Sequence, residues 1–582
     1  MLTIFWEKKK STCTKIIEND QEITEPAKIA NSFNNYFTNI GPTLASTINE
    51  GEDKFSKYLS DSFHNSLFFS PTSYHEVVNI VKELKSSRSS GYDGISVNLL
   101  KQIIHSIASP LTHIFNKSLA SGRCPNALKI AKVIPIFKKD DQYQVKNYRP
   151  ISLLPGISKI LEKIVYNRLF SFLNMNELLI PNQFGFRKNH STDYAIIQLC
   201  DKITESLTKR EHIIGIFMDL SKAFDTIDHE ILIQKLKHYG VRGTALLWFC
   251  DYLSNRQQYV EFDSCSSKRT KITCGVPQGS ILGPLLFLIY INDITRASPV
   301  FTYILFADDT NIFYSHRNPQ TLVNTINTEL RKISSWFKCN KLSLNIDKTN
   351  FIHFTNVHSP NVQFRLSIDG LPLVEKTATK FLGVTIDSKL CWNDHIKNIS
   401  TRVSRNIGIL YKLKDLLNEK SLFTLYNALI LPYISYCNIA WANCYKTKIN
   451  SIFLLQKRAL RVCTHSYFRA NTDPIFQRMK TLKINDIHTL QSAIFMFKYK
   501  TNALPLLFHN LYTLNLNVHS YPTRHCNDYH LHNPKLLIAQ KSIRHHGPDV
   551  WNKLPECIKT LKKLHSFKAL TKKHLLSKYN RT

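Results

Sequence analysis

Two apolar runs that end in aspartate constrain the fold of this chain more than any other feature of its sequence. Residues 213–218 form a short apolar run that is followed by Asp219, and 301–314 has the pattern of a strand, an acidic turn at Asp308 and Asp309, and a second strand. Adjacent carboxylates repel each other and resist desolvation, and a divalent cation offsets both costs because hard cations prefer carboxylate oxygen. The pattern therefore predicts buried strands with a cation site at their ends. The alternative is an ordinary aspartate-rich turn.

Hydrophobic spacing predicts helices around these strands. The segment 86–94 is rich in Ser, Arg, Gly and Asp and is predicted to be a loop. Residues 421–441 carry no charge, but Pro432 and several polar residues favour a buried, broken helix over a membrane span. The predicted helices are 73–84, 95–122, 157–179, 281–291 and 395–414.

Positive charge is concentrated in the second part of the chain. Residues 388–582 contain 31 Lys and Arg against 8 Asp and Glu, whereas 1–387 contain 45 against 35. Such an imbalance indicates a polyanionic partner, most commonly nucleic acid. The segment after Glu556 has eight basic residues and no acid, so it is predicted to bind nucleic acid. Alternatively, its apolar residues dock the last helix on the protein; they are Leu561, Leu564, Phe567, Leu570 and Leu575.

The cysteines and the first residues indicate an intracellular protein. Thirteen scattered cysteines are an odd number without close pairs, which is typical of a reducing compartment. Residues 1–6 are apolar but lack a basic segment before them and a cleavage site after them, so a signal peptide is not expected. The sequence thus favours the nucleus or cytoplasm, without secretion and without a membrane partner.

Seven short motifs follow one another over about 133–387. They are 147–152 (NYRPIS), 182–187 (NQFGFR), Asp219 with Phe224, 275–284 (GVPQGSILGP), 306–309 (FADD), Lys348 with Thr349, and 381–384 (FLGV). Their order and wording resemble those of reverse transcriptases and are most similar to those of non-LTR (LINE-like) retrotransposons of the jockey and CR1 type. In that family the first two are fingers motifs, and the other five are, in chain order, motifs A, B, C, D and E.

The resemblance implies an α+β right-hand polymerase with fingers, palm and thumb, a small antiparallel palm sheet, and a mostly helical basic C-terminal region. Residues 1–115 are expected to be a connector, 116–387 the fingers and palm, 388–465 a thumb-like helical region, and 466–582 a basic region without an assigned role. Such element proteins carry an endonuclease before the polymerase. The roughly 130 residues that precede the fingers motif are short for a domain, so we expect the polymerase part of a larger protein or a truncated copy.

The resemblance also implies RNA-directed DNA polymerase activity that uses two Mg²⁺ ions, with Mn²⁺ as an alternative. Asp219 and Asp308 would be metal ligands, joined by the backbone carbonyl of Leu220. Asp309 would be a supporting acid or, alternatively, a turn former. Two further carboxylates, Asp225 and Asp228, are interpreted as polar residues on the side of a helix, because the apolar strand is expected to end at Asp219.

Nucleotide selection would depend on motifs A and B. Phe224 would exclude a ribose 2′-OH by its bulk, unless it is one of the many core phenylalanines. Gln278 and Gly279 would lie under the nascent base pair, where glycine permits close approach of the backbone. The alternative for this pair is a plain turn before an apolar helix.

Basic residues would complete the site. Arg149, Arg187 and Lys146 are candidates for binding the triphosphate, although each alone could be surface charge. Lys348 would protonate the pyrophosphate leaving group or would simply be solvated. Motif E would supply a primer-grip-like hairpin formed by Phe381, Leu382 and Gly383.

The partners implied by the resemblance are an RNA template, a DNA primer and dNTPs. Two alternatives remain open: a maturase similar to those of group II introns, and a catalytically idle RNA-binding relic. An RNA-dependent RNA polymerase is disfavoured by Phe224 and by Ala307 before the aspartate pair. Structural zinc is disfavoured by the spacing of the cysteines and histidines, and a fused RNase H by the small number of acids after residue 387.

Overall fold

The computed structural model describes residues 13–18, 20–48, 54–355, 363–518 and 525–581, and the opening segment 1–6 lies outside them. Strands and helices are mixed throughout, which confirms the α+β prediction. In chain order the strands are β1 (Ile16–Glu18), β2 (Gln21–Ile23), β3 (Ile130–Phe137), β4 (Tyr148–Leu153), β5 (His212–Leu220), β6 (Gln257–Phe262), β7 (Cys265–Ser266), β8 (Thr270–Lys271), β9 (Thr302–Phe306), β10 (Asp309–His316), β11 (Leu344–Phe354), β12 (Ser367–Ile368), β13 (Leu371–Pro372), β14 (Val374–Glu375), β15 (Ala378–Phe381) and β16 (Val384–Asp387).

The predicted helices are all confirmed, and their boundaries follow local chemistry. The Ser73 and Ser96 hydroxyls cap two of them by accepting from the backbone N–H three residues on, and the break predicted at Pro432 follows Ile430. In chain order the helices are α1 (Pro26–Ser46), α2 (Tyr74–Glu83), α3 (Val97–Ser121), α4 (Gly156–Met175), α5 (Thr192–Thr208), α6 (His229–His238), α7 (Gly243–Leu253), α8 (Leu282–Ile291), α9 (Pro319–Cys339), α10 (Asn393–Leu413), α11 (Glu419–Leu429), α12 (Leu431–Ser435), α13 (Asn438–Trp441), α14 (Lys446–Cys463), α15 (Asp473–Arg478), α16 (Ile484–Lys500), α17 (Leu537–Gln540), α18 (Ile543–Asn552), α19 (Glu556–Lys559) and α20 (Leu564–Ser577).

The chain divides into two compact units, which we call unit 1 and unit 2. Unit 1 consists of Met1–Ile180, Asp219–Pro299 and Glu329–Asn345. Unit 2 consists of Pro181–Met218, Val300–Thr328 and Ile346–Thr582. The chain therefore passes from one unit to the other within β5, between Met218 and Asp219.

Unit 1 contains a sheet with the strand order β4-β3-β6-β7, and β8 also pairs with β6. Helix α1 packs on this sheet through Phe33 and Phe37, which share a buried cluster with Tyr148 and Phe262. The segment expected to be a connector thus contributes a helix to the core of unit 1. The expected boundary at residue 115 falls inside α3, and the division into domains stays a prediction.

Unit 2 contains the predicted acidic hairpin within a sheet of order β14-β11-β5-β10-β9. Strand β10 pairs antiparallel with both β5 and β9, and β14 adds a short parallel edge. The core of unit 2 continues from this sheet into the helices after residue 392, where Trp441, Trp551 and Phe567 are buried. The basic second part of the chain is therefore a folded, mostly helical region.

The last helix of the chain docks on unit 2. Phe567 is fully buried and its ring lies 4.5 Å from that of Phe497, while Tyr579 donates a hydrogen bond to Asp486. Lys559 is also buried, and it pairs with Asp528 and Glu556 instead of facing solvent. The tail is consequently a structural element, and only its remaining basic residues are available for nucleic acid.

Substituting the exposed lysines of the tail tests nucleic-acid binding without disturbing the docking of the last helix. Deleting the tail would remove both. Replacing Lys562, Lys563, Lys568 and Lys573 with glutamine is expected to reduce the slope of log affinity against log salt by about 0.7–0.9 per lost phosphate contact, without changing the melting temperature. Phe567→Ala is expected to lower the free energy of unfolding by about 3–5 kcal/mol and to leave the slope unchanged. Titration of an RNA–DNA hybrid at several salt concentrations, with thermal melts, measures both. Equal slopes for the parent and the four-lysine variant would contradict nucleic-acid binding by the tail.

Candidate active site

The acidic turn of unit 2 is a tight hairpin between β9 and β10. Phe306 pairs with Asp309, so Ala307 and Asp308 form the two-residue connection. Ala307 has φ 55°, a left-handed conformation that costs an L-residue about 1–2 kcal/mol. The turn therefore needs support from elsewhere in the fold.

Gln183 supplies that support. Its side-chain oxygen accepts hydrogen bonds from the N–H groups of Ala307 (3.0 Å) and Gly185 (2.7 Å), and its amide donates to the Ala307 carbonyl (3.4 Å). A Cβ on Gly185 would lie 2.3 Å from the Ala307 nitrogen, so only glycine fits there. The 182–187 motif thus holds the turn that carries Asp308. Gln183 was not singled out from the sequence, because nothing local marks a contact that spans more than 120 residues.

Asp219 lies at the end of β5, the strand next to the acidic hairpin. Thr310 on β10 is opposite Met218 on β5, and Asp219 is the next residue along that strand. The strand ends at Leu220, one residue later than predicted. A seven-residue antiparallel register from His212 to Met218 therefore orients the strand that carries Asp219.

Motifs A and B are joined in unit 1. The Val276 N–H donates to the Phe224 carbonyl (2.9 Å), and the Gly275 N–H donates to the Ile227 carbonyl (2.7 Å). The half-buried Phe224 ring stacks on Phe287 of α8 at 4.7 Å and an interplanar angle of 29°. These contacts fix the position of the Phe224 ring.

The position of Asp225 differs from the one predicted from the sequence. It lies in the turn between β5 and α6, so its interpretation as a helix-side residue is wrong; Asp228, by contrast, caps α6. The Gln278 amide nitrogen donates to both Asp225 carboxylate oxygens, at 2.8 and 2.9 Å. Burial raises the pKa of Asp225 to about 6, while Gln278 and Lys222 oppose that shift. Asp225 therefore acts as a positioning residue for Gln278.

Helix α1 packs against the turn of motif A that contains Asp225. A Cβ on Gly41 would lie 2.3 Å from the Asp225 carbonyl oxygen and 2.4 Å from Cys274 Sγ, so α1 approaches motif A as closely as glycine permits. Desolvation, and secondarily the charge of Asp225, raises the pKa of Tyr36. The N-terminal segment thus supports the motif A–motif B junction of unit 1.

The first fingers motif meets motif B at Ser152 on β4. The Ser152 N–H donates to the Gln278 carbonyl (2.8 Å), and Gly279, with φ 129°, leaves no room for a Cβ against the Ser152 carbonyl. Arg149 is exposed on the same strand and Lys146 is exposed in the turn before it. Unit 1 therefore brings Gln278 and Gly279 together with the strand that carries Arg149.

Two further predicted residues lie in unit 2. Arg187 is the last residue of the motif that holds the acidic turn, and burial lowers the pKa of its guanidinium. Lys348 is exposed on β11, the strand that neighbours β5 in the sheet.

The motif E hairpin also belongs to unit 2. Leu382 and Gly383 form its two-residue turn with φ 46° and 84°, and Phe381 is buried with its ring 6.2 Å from that of Phe217 on β5. The Tyr436 hydroxyl donates to the Leu382 carbonyl (2.7 Å). This hairpin is thereby attached both to β5 and to the helical region that follows it.

The donor atoms suit a hard divalent cation. Asp219 and Asp308 offer carboxylate oxygens and Leu220 a backbone carbonyl, and Mg²⁺ is commonly held by one or two carboxylates together with substrate phosphates. In the part of the chain that the structure describes, no three His, Cys, Asp or Glu side chains converge as a preformed metal cage. Among the same residues, no helix combines the length and apolar character needed to cross a bilayer.

Removing the Asp225 carboxylate is expected to impair nucleotide use without unfolding the protein. Asp225→Ala leaves Gln278 without its acceptor, and a hydrogen bond to a charged group contributes about 1.5–3 kcal/mol, so we expect a loss of about 10- to 100-fold in kcat/KM for the nucleotide. Asp225→Asn retains an acceptor oxygen and should restore most of that loss. Steady-state incorporation kinetics with matched melting curves measure both. Equal kinetics for parent and Asp225→Ala would remove the positioning role.

The sequence of this chain is similar to those of known proteins. Residues 136–386 match the family described as reverse transcriptase (RNA-dependent DNA polymerase). The chain is 28% identical to the RNA-directed DNA polymerase from mobile element jockey of Drosophila melanogaster, over 77% of this chain and 50% of that protein. It is 29% identical to the probable RNA-directed DNA polymerase from transposon BS of the same organism, over 75% of this chain and 49% of the relative. It is 27% identical to the probable RNA-directed DNA polymerase from transposon X-element of Drosophila melanogaster, over 71% of this chain and 46% of that relative.

These matches confirm the resemblance that the seven motifs indicated. Residues 136–386 therefore resemble the reverse transcriptase domain of non-LTR retrotransposons. The chain spans about half the length of the curated relatives it matches.

Proposed function

We propose that this chain is the RNA-directed DNA polymerase of a LINE-like retrotransposon, extending a DNA primer on an RNA template. One observation carries the proposal: β10 of the acidic hairpin, which contains the turn with Asp308, is the antiparallel neighbour of β5, the strand that continues into Asp219. The family match over 136–386 supports it independently.

Asp219, Asp308 and the Leu220 carbonyl would hold two Mg²⁺ ions, or Mn²⁺ in their place, with Asp309 as a supporting acid. When bound, such ions stabilise charge on the attacking and leaving oxygens of an in-line displacement. The chain's contribution is to fix these oxygens. Gln183 holds the turn of Asp308, and the register of β5 with β10 orients the strand of Asp219.

The incoming dNTP would be selected by side chains of motifs A and B and oriented by basic residues. In the reaction a bond forms between the primer 3′-oxygen and the α-phosphorus, and pyrophosphate leaves. Phe224 would exclude a 2′-OH, and Gln278 with Gly279 would lie under the nascent pair. Arg149, Arg187 and Lys146 would bind the triphosphate, and Lys348 would donate a proton to pyrophosphate.

The fingers, palm and thumb of a polymerase can also be assigned to regions of this chain. We assign the sheet of unit 1 to the fingers, the acidic sheet of unit 2 to the palm, and 388–465 to the thumb. Phe381, Leu382 and Gly383 would hold the primer end. The basic helix α10 would contact the backbone of the RNA–DNA hybrid. A maturase role and an idle relic are not favoured, because the seven motifs and the named relatives all point to element polymerases.

A primer-extension assay tests the proposal. The protein is given poly(A) annealed to oligo(dT), dTTP and Mg²⁺, and we expect extended DNA that is absent when EDTA is added. Poly(dA) as template and UTP as substrate serve as controls for template and sugar. No extension by folded protein with either Mg²⁺ or Mn²⁺ would contradict the proposal.

A further inference from the structure

Two large aromatic side chains stand exposed side by side in the turn after α14. Tyr467 is 73% exposed and Phe468 is 77% exposed. Single exposed apolar residues are ordinary on protein surfaces. Two consecutive aromatic rings, however, expose a large apolar surface area, which most folds would bury. None of the residues assigned to the polymerase site lies in this turn.

The turn is ordered, so the exposure is a property of the folded chain. The Ser466 N–H donates to the Arg461 carbonyl and the Ala470 N–H to the Tyr467 carbonyl, each at 3.0 Å. The Arg461 guanidinium donates to the Ala470 carbonyl, also at 3.0 Å. Cys463 before the turn and Ala470 after it are buried. The two rings are therefore held outward by a turn that is anchored at both ends.

The surroundings of the two rings are strongly basic. The segment 457–483 contains seven Lys and Arg residues and one acid, Asp473, which is paired with Lys483 at 2.8 Å. Arg458 and Arg469 are exposed, and in the described residues no ion pair involves either of them. Arg469 directly follows Phe468, and Arg458 lies on α14, the helix that leads into the turn. Exposed rings and exposed arginines are the two elements of a single-strand binding surface, because bases stack on the rings and phosphates pair with the cations.

We propose that Tyr467 and Phe468, with Arg458 and Arg469, form a binding site for single-stranded nucleic acid. We call this set the aromatic turn. Each ring would stack on one base, and the arginines would contact the adjoining phosphates. The site has little sequence preference, since every base has a face that can stack. The inference deepens the proposed function by assigning a contact for unpaired template or primer strand.

Binding of labelled 15-nucleotide strands, measured by fluorescence anisotropy without dNTP or metal, tests the site. We expect Tyr467→Ala with Phe468→Ala to weaken binding of oligo(rA) or oligo(dA) by at least about tenfold, and to quench less 2-aminopurine fluorescence at an internal position. The salt slope should stay the same, because no phosphate contact is removed. Arg458→Gln with Arg469→Gln should instead reduce that slope by about 0.7 per lost contact. Comparing the affinities for oligo(rA) and oligo(dA) shows whether RNA or DNA is preferred.

A matched control comes from another exposed aromatic residue. Phe68 is 83% exposed in unit 1, and Phe68→Ala should leave affinity unchanged. Parent-like affinity of the Tyr467 and Phe468 double variant for both strands would overturn the proposal and would favour a protein partner for the patch. An equal loss for single strands and blunt duplexes would also overturn it, since stacking needs unpaired bases.

Primer extension in parallel separates this site from the proposed function. A parent protein that fails to extend primers but binds single strands through Tyr467 and Phe468 would contradict the polymerase and support the aromatic turn. Normal extension with unchanged binding by the double variant would contradict only the aromatic turn.

Discussion

Asp219→Asn and Asp308→Asn are each expected to reduce primer extension by about 10³-fold or more while leaving template–primer affinity within a few-fold of the parent. Each substitution replaces a carboxylate, proposed above as a metal ligand, by a neutral amide, and metal stabilisation of transition-state charge contributes several kcal/mol. The basic residues proposed to contact phosphates are unchanged, so binding should persist. Single-turnover extension and anisotropy with the same hybrid measure the two quantities.

The control is another aspartate, which lies outside the proposed site. Asp263 lies exposed in the turn between β6 and β7 with φ 46°, a conformation that asparagine also adopts. Asp263→Asn should extend primers like the parent. Extension within tenfold of the parent by either Asp219→Asn or Asp308→Asn would contradict the assignment of the metal ligands.

Phe224→Val is expected to lower discrimination against ribonucleotides by about tenfold or more. The smaller side chain opens space for a 2′-OH but adds no attraction for either sugar, so use of dNTPs should change less. Because Phe224 stacks on Phe287, a small loss of stability accompanies the substitution and is measured by melting. Single-nucleotide insertion of dTTP and UTP on one template gives the ratio.

The conservative variant makes the result specific. Phe224→Tyr retains the ring and should retain the discrimination. If Phe224→Val leaves the ratio of UTP to dTTP insertion unchanged, Phe224 is a core residue without a role in sugar selection.

Local patterns were sufficient to predict the elements that carry the proposed site. The apolar run 213–218 and the pattern at 301–314 predicted β5, β9 and β10. A buried strand can be recognised locally because its consecutive side chains are apolar. Pro432 likewise marked a helix break, because proline removes a backbone donor.

The residues that support the site could not be predicted in the same way. The contacts of Gln183 with Ala307 and of Asp225 with Gln278 join positions 124 and 53 residues apart, and no spacing rule reaches that far. The segment that forms helix α1 was predicted to be part of a connector, because the residues that cover its apolar face are distant in the sequence. Only the fold shows that Phe33 and Phe37 pack on the sheet of unit 1. Supporting contacts of this kind are tertiary, whereas motifs are local.

The most direct test of the central claim is extension of a DNA primer on an RNA template of mixed sequence, followed by sequencing of the product. The account predicts DNA complementary to the RNA over its whole length, made by the parent with Mg²⁺ and dNTPs and absent with Asp308→Asn. Product that is independent of the template, or equal product from parent and Asp308→Asn, would contradict it.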